Sequence, residues 1–270
     1  MSSSTLPTLS KEKQKVLDDT QYTNNGILRY EKIFGEGFIS TGGLTTTQEL
    51  FKRMNLKKGM KVLDVGCGIG GGDLLMAKKY GVDVYGIDLS ANMLNIAKDR
   101  LKKTSLKQGS VEYEECDAMT RDFKDGEFDI IYSRDCILHV ADKVTLFKRF
   151  YKWLKSGGGL YISDYCRGED SSNEEFEAYV KQRNYTLYTV KKYGSLIEQA
   201  GFETVKANDI TDLFVTSLKA ELDRFKKIKD EFIAEFTKED FDHINDGWEV
   251  KLVRSAKGYQ HWGWFVAQKQ

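Results

Sequence analysis

The chain has 270 residues, 40% of them hydrophobic, and 41 basic against 41 acidic residues give a formal net charge of zero. That balance excludes the basic excess expected of a nucleic-acid or membrane-surface binder, and the apolar content excludes a disordered chain. No apolar run exceeds four residues and the N-terminus carries no signal-peptide stretch, so no membrane insertion is expected. Four cysteines at 67, 116, 136 and 166 form no CxxC pair; they predict a reduced, cytoplasmic protein without a metal site.

Residues 1–10 are rich in Ser and Thr and read as disordered, with one domain over 11–270. A helical segment, 11–56, precedes the first strand and reads as a lid or cap. A core over 57–168 then alternates strands with helices. KVLDVGC (61–67) reads as a buried strand, DLLMAKKYG (73–81) as a helix stopped by Gly81, and VDVYGIDL (82–89) as a second strand. Ser90 reads as the N-cap of ANMLNIAKDRLKK, whose Met93, Ile96, Ala97 and Leu101 share a face. VEYEECDA (111–118), FDIIYSRD (128–135) and GGLYISDY (158–165) are the next strands, and the helix DKVTLFKRFYKWLK is expected to end at Gly157–Gly158–Gly159. Residues 169–270 supply further helices, expected to cap the sheet mouth, and the strands FETVKANDI (202–210) and WGWFVAQ (262–268). The fold class is α/β, Rossmann-like. It is a mostly parallel seven-stranded sheet covered by helices on both faces, with an antiparallel edge strand.

Ligands of such sheets sit beyond the carboxyl ends of the strands. There the first strand runs into Gly66-Cys67-Gly68-Ile69-Gly70-Gly71-Gly72, five glycines in seven positions. The spacing satisfies a dinucleotide fingerprint, but the wider pattern favours S-adenosylmethionine. Asp64 stands two places before Gly66. Asp88, 22 residues after it, ends the second strand, where a carboxylate can take both ribose hydroxyls. Asp117 ends the third strand and suits the exocyclic amine of adenine. The fourth strand delivers Ser133-Arg134-Asp135-Cys136-Ile137-Leu138-His139 beside the methyl donor. His139 is the best general-base candidate among three histidines. His243 reads as exposed and His261 as structural. Tyr179 and Arg183 stand one turn apart with Tyr185 just beyond. Tyrosines around a cation suit quaternary-ammonium recognition, and Arg183 with Lys251 could grip a phosphate.

The stretches QYTNNGILRYEKIFGEGFISTGGLTTT, VLDVGCGIGGG, DIIYSRDCILHV, FYKWLKSGG, YISDYC, AYVKQRNY and DGWEVKLVR resemble the phosphoethanolamine N-methyltransferases. The resemblance is strongest to the second half of the two-domain plant enzymes, and extends to the single-domain parasite enzymes. It implies a class I methyltransferase that uses S-adenosylmethionine, releases S-adenosylhomocysteine, and methylates small-molecule phosphobases toward phosphocholine. The resemblance assigns Tyr22 and His139 as the catalytic pair. Gln21, Tyr30, Asp135, Tyr165, Tyr179, Arg183, Tyr185 and Lys251 match phosphobase-binding positions. Ile39, Ser40, Gly66, Gly68, Asp88, Leu89, Asp117, Ala118 and Arg134 match cofactor-binding positions. A monomer without nucleic-acid partners is expected. The rival readings are another small-molecule methyltransferase and a non-catalytic domain that binds the methyl donor.

Overall fold

The structure is a computed structural model and describes residues 8–169 and 173–270. Seven strands form one sheet in the order β3-β2-β1-β4-β5-β7-β6. They are β1 (Lys61–Val65), β2 (Asp83–Asp88), β3 (Ser110–Glu115), β4 (Phe128–Arg134), β5 (Leu154–Arg167), β6 (Thr204–Asp209) and β7 (Gln260–Gln268). The first five run parallel, and β7 is antiparallel to both its neighbours, β5 and β6. The antiparallel strand expected from WGWFVAQ therefore lies one place inside the edge, which β6 forms. Central strands read as continuous apolar runs because helices cover both faces. Val62 and Leu63 of β1 and Ile131 of β4 have no exposed surface.

Helices α4 (Gly71–Tyr80), α5 (Ala91–Lys103) and α6 (Lys143–Trp153) follow β1, β2 and β4. Gly81, at φ +69°, ends α4, and Ser90 accepts the Met93 amide to start α5, both as the sequence predicts. Two expectations change. Helix α6 stops at Trp153, and the three glycines lie inside the 14-residue strand β5. A register shift between Phe128 and Ile130 absorbs them, with Gly157 at φ +78°. Among the helices expected to cap the mouth, α7 (Glu174–Gln182), α8 (Val190–Gln199), α9 (Thr211–Lys227), α10 (Lys229–Glu235) and α11 (Lys238–Ala256), only α7 and α11 contribute residues to the cavity at the sheet mouth. α8 packs on the sheet, where Tyr193 stacks on Phe265 at 4.1 Å.

The segment before β1 divides in two. Residues 8–10 open α1 (Thr8–Val16), whereas residues 1–7 of the stretch expected to be disordered lie outside the described residues. A π-helical turn, Leu17–Gln21, follows α1, and no residue from 11 to 23 is buried. Then come α2 (Asn24–Phe34) and α3 (Gly43–Lys52). Ile33, Phe34, Leu50 and Phe51 from these two helices join the same core as Phe214, Phe225 and Trp248. The front of the segment expected as a lid stays out of that core, although Tyr22 packs on a smaller cluster of Ile27, Ile69 and Met93.

Candidate active site

A cavity of about 1180 Å³ opens at the carboxyl ends of β1 to β5, and every candidate residue named from the sequence lines it. Its floor is main chain. Gly66 takes φ +82°, and a Cβ there would lie 2.2 Å from Cys136 Sγ. Only glycine lets the loop after β1 turn beneath the end of β4. Further along, a Cβ on Gly71 would lie 2.1 Å from the carbonyl oxygen of Gly37, where the pre-β1 segment crosses the loop.

Asp88 ends β2 and is fixed by backbone. Its Oδ2 accepts the Gly68 amide and its Oδ1 the Ser90 amide, each at 2.9 Å. Burial pushes its carboxyl up, and the two amides hold it down. Each oxygen keeps a lone pair for a further donor, so the carboxylate fits a ribose hydroxyl pair. Asp117 accepts the Met119 amide through Oδ1 at 2.8 Å and stands 3.8 Å from Lys13 Nζ. Leu89 and Ala118 follow the two acids, and Ile39 closes over Gly68 from the opposite wall. Arg134 directs its terminal nitrogens to Thr47 Oγ1 and the Thr41 carbonyl, which ties the segment beside Ser40 to β4. Asp64 lines the cavity beside Gly66 and pairs with Asp73. Burial pushes the Asp64 carboxyl up to about 7 and that of Asp73 well above its usual range.

The second half of the cavity is made of side chains. Asp135 leaves β4 at φ +51°, a left-handed conformation unusual for a non-glycine residue. Its Oδ1 accepts the Trp262 indole N–H at 2.7 Å and the Ser163 hydroxyl at 3.4 Å, while buried Oδ2 has no hydrogen-bond partner. Beyond it the 3-10 turn Ile137–His139 brings the His139 Nε2 to 3.4 Å from the Tyr22 hydroxyl. Gln21 Nε2 donates to that same hydroxyl at 3.2 Å. Tyr185 meets the imidazole edge-on at 5.1 Å between ring centres. Burial, then the positive fields of Lys143 and Arg183, push His139 down to about 4, so the imidazole is neutral at physiological pH.

The cations converge on the far wall. Lys251 is pushed down to about 8, first by burial, and its ammonium lies 4.0 Å above the Trp248 ring. Arg183 ends α7, with Tyr30, Tyr179 and Tyr185 among the groups around it. Arg254 was not a candidate from sequence. It also lines the cavity, and its guanidinium covers Tyr179 at 4.0 Å. That contact occupies one face of a ring expected to meet the substrate ammonium. Trp248, Lys251 and Arg254 recur every three residues along α11, a spacing that was readable in DGWEVKLVR. Trp262 carried no such signal, because its role depends on β7 pairing beside β5. Of the other histidines, His243 is exposed, and His261 bonds Asp209 at 2.7 Å.

Segment 11–23 lies across both halves. Gln14 donates to Glu115 at 2.8 Å, and Asp18 accepts the Ala91 amide at 3.2 Å together with the Ser90 hydroxyl. Asn92 holds the carbonyl of Tyr22 itself at 2.9 Å.

A methyltransferase-domain family matches residues 44–207. Phosphoethanolamine N-methyltransferase 1 of Arabidopsis thaliana is 54% identical over 256 residues, 95% of this chain and 52% of that protein. The Plasmodium falciparum phosphoethanolamine N-methyltransferase is 40% identical over 94% of this chain and 95% of its own length. The chain spans about half the length of the plant relatives it matches. Among solved structures, phosphoethanolamine N-methyltransferase 2 of Haemonchus contortus, in complex with phosphomonomethylethanolamine and S-adenosylhomocysteine, superposes with a TM-score of 0.91. It is 38% identical, over 95% of this chain and 59% of that one. A cyclopropane synthase from Mycobacterium tuberculosis, 15% identical with a TM-score of 0.78 over 94% of this chain and 98% of that one, shares the fold alone. With relatives this similar over nearly its whole length, the chain belongs to the phosphoethanolamine N-methyltransferase family.

Proposed function

We propose that this protein is an N-methyltransferase that takes a methyl group from S-adenosylmethionine and places it on a phosphobase, toward phosphocholine. One observation carries the reading. A single cavity joins the glycine loop and Asp88 to a wall of three cations, Arg183, Lys251 and Arg254, with Asp135 and the Tyr22–His139 pair at the join. A sterol or alkaloid pocket would not need buried cations, and a non-catalytic binding domain would not need the pair.

The sulfonium donor, when bound, supplies an electrophilic methyl. The chain's own residues do the rest. Gly66, Gly68, Leu89, Ala118, Ile39, Ser40 and Arg134 shape the donor's wall, Asp88 takes its ribose hydroxyls, and Asp117 its adenine amine. Arg183, Lys251 and Arg254 hold the phosphate of every intermediate at one place, with hydroxyls of Tyr30, Tyr165, Tyr179 and Tyr185 around them. Asp135 Oδ2 accepts an ammonium N–H. His139 Nε2 receives the amine proton, and Tyr22, steadied by Gln21, orients the imidazole.

The proton transfer sets a demand. An alkylammonium near 10.4 and an imidazole at about 4 differ by about 6 units, or ~9 kcal/mol. Two effects narrow that gap. A phosphate carrying about −1.5 to −2 charges offsets the field of Arg183, and burial lowers the ammonium's own pKa. Segment 11–23 then closes over the pair and excludes water. The protein works as a monomer in the cytoplasm, where its four cysteines remain free thiols.

The test is product analysis by mass spectrometry with S-adenosylmethionine and each of phosphoethanolamine, its monomethyl form and its dimethyl form. Methylation of a phosphobase is expected, with later intermediates used better than phosphoethanolamine. Asp135 Oδ2 has no hydrogen-bond partner and stands 4.0 Å from Arg134 Nε, so it offers one acceptor, whereas a primary ammonium buries three N–H groups that need acceptors. No product with any of the three would sink the assignment, and equal use of all three would sink the preference.

A further inference from the structure

Lys143 is among the largest fully buried side chains of the protein, 1% exposed, and the proposed chemistry has not used it. It opens α6, four residues after His139. Its ammonium donates to the carbonyl of Ile137 at 2.6 Å and to the carbonyl of Val140 at 2.9 Å. These carbonyls bracket the 3-10 turn that carries the imidazole. A lysine buried to this degree costs several kcal/mol in desolvation unless partnered, and its surroundings are built to hold it. Rings of Tyr193 and Tyr188 stand 5.7 and 5.8 Å from the ammonium. Asp164 on β5, also buried, accepts the Tyr193 hydroxyl at 3.0 Å and lies in the field of the lysine.

We propose that Lys143 is the positioning residue of the His139 turn: a buried cation that clamps its two carbonyls and aims the imidazole at Tyr22. This inference deepens the methyltransferase reading and rests on it for its catalytic consequence, though not for its structural one.

The charges around both groups give the sign. His139 faces Tyr22 from the pre-β1 segment, Tyr185 and Arg183 from the α7 end, and Lys143 from α6. Burial, then Lys143, then Arg183, depress its pKa. Lys143 itself faces Asp164 and Cys166 of β5, Cys136 before the turn, and the two tyrosines. Burial lowers its pKa and Asp164 raises it, so the pair is held in balance. When a phosphate offsets Arg183, Lys143 remains the cation behind the imidazole. Its removal therefore makes His139 easier to protonate and frees the turn to move.

The test uses Lys143→Met and, because the single change leaves Asp164 buried without its cation, the double variant Lys143→Met/Asp164→Asn. The chain has three histidines, so labelled imidazole NMR resolves each, and His139→Ala identifies the signal. The His139 titration midpoint is expected to rise by roughly half a unit or more in either folded variant. The kcat with a phosphobase is expected to fall at least about tenfold, with the acid limb of its pH profile moving upward. The KM and the affinity for S-adenosylhomocysteine should stay within about threefold, because Lys143 itself lies outside the cavity lining. A double variant with an unmoved His139 titration, or with kcat near wild type, would overturn the proposal. So would an equal loss of S-adenosylhomocysteine affinity, which marks a general packing role. Failure of the wild type to methylate any phosphobase would sink the functional reading, while the NMR titration would still test Lys143.

Discussion

The two halves of the cavity are built by different means. The donor half is built mainly within 64–118, from strand ends and backbone amides, with Ile39, Ser40 and Arg134 closing its wall. Its key carboxylate, Asp88, is held by Gly68 and Ser90, both near it on the same sheet edge. The acceptor half gathers side chains from Gln21 to Lys251, and its central contact joins Tyr22 to His139 across 117 residues. The first half is set once the sheet forms. The second needs the pre-β1 segment, the turn after β4, α7 and α11 all in place. Precision in the donor half is therefore main-chain geometry, and in the acceptor half it is charge held by neighbours such as Trp262 and Lys143.

Changes in the two halves should separate accordingly. The largest effect is expected from His139→Ala, which should lower kcat by roughly 10²–10⁴-fold, the usual loss for a general base. Affinity for S-adenosylhomocysteine should change little. A variant within a few-fold of wild type in single-turnover kinetics would remove His139 from the mechanism and blur the division.

Next is Asp88→Ala. It should weaken S-adenosylhomocysteine binding by about 1.5–3 kcal/mol, the scale of hydrogen bonds to a charged group. Phosphocholine affinity measured without the nucleoside should be unaffected. Unchanged nucleoside binding by calorimetry would contradict the placement of the ribose on Asp88.

A smaller effect comes with pH. Lys251 is charged below its depressed pKa of about 8 and loses its proton as pH rises through that value. Phosphocholine affinity should thus rise as the second phosphate proton leaves near pH ~6, then decline above about 8. The Lys251→Met variant should bind more weakly and lack the upper limb. Wild-type affinity that stays flat from about pH 7 to 9 would show that Lys251 does not face the phosphate.

The donor half was legible because its signals are local. The glycine spacing, the acids at the strand ends and the Ser90 cap each lie within one element. In the acceptor half His139, the Tyr179–Arg183–Tyr185 group and Lys251 were readable as residues, but their pairing with Tyr22 came only through resemblance, since no spacing links Tyr22 to His139. Trp262 and Lys143 escaped for the same reason, their partners being set by strand order and by a turn. The three glycines at 157–159 read as a stop signal, yet a strand flanked on both sides accommodates them as an irregularity. Helical periodicity does not reveal which part of the segment before β1 joins the core. Phe34 and Phe51 join the main core, whereas of residues 11–23 only Tyr22 packs on a hydrophobic cluster, the small one of Ile27, Ile69 and Met93.

That last distinction carries the central claim, that the donor half stands preformed while the acceptor half is completed by closure of the front segment. Hydrogen exchange followed by mass spectrometry tests it directly, on the free protein, with S-adenosylhomocysteine alone, and with phosphocholine added. Residues 12–23 should be poorly protected until both ligands are present and then slow by at least about tenfold. Peptides from α3 and β1 should already be protected in the free protein. Equal protection of 12–23 in the free and doubly liganded protein would contradict the claim and leave Tyr22 a fixed wall of the site.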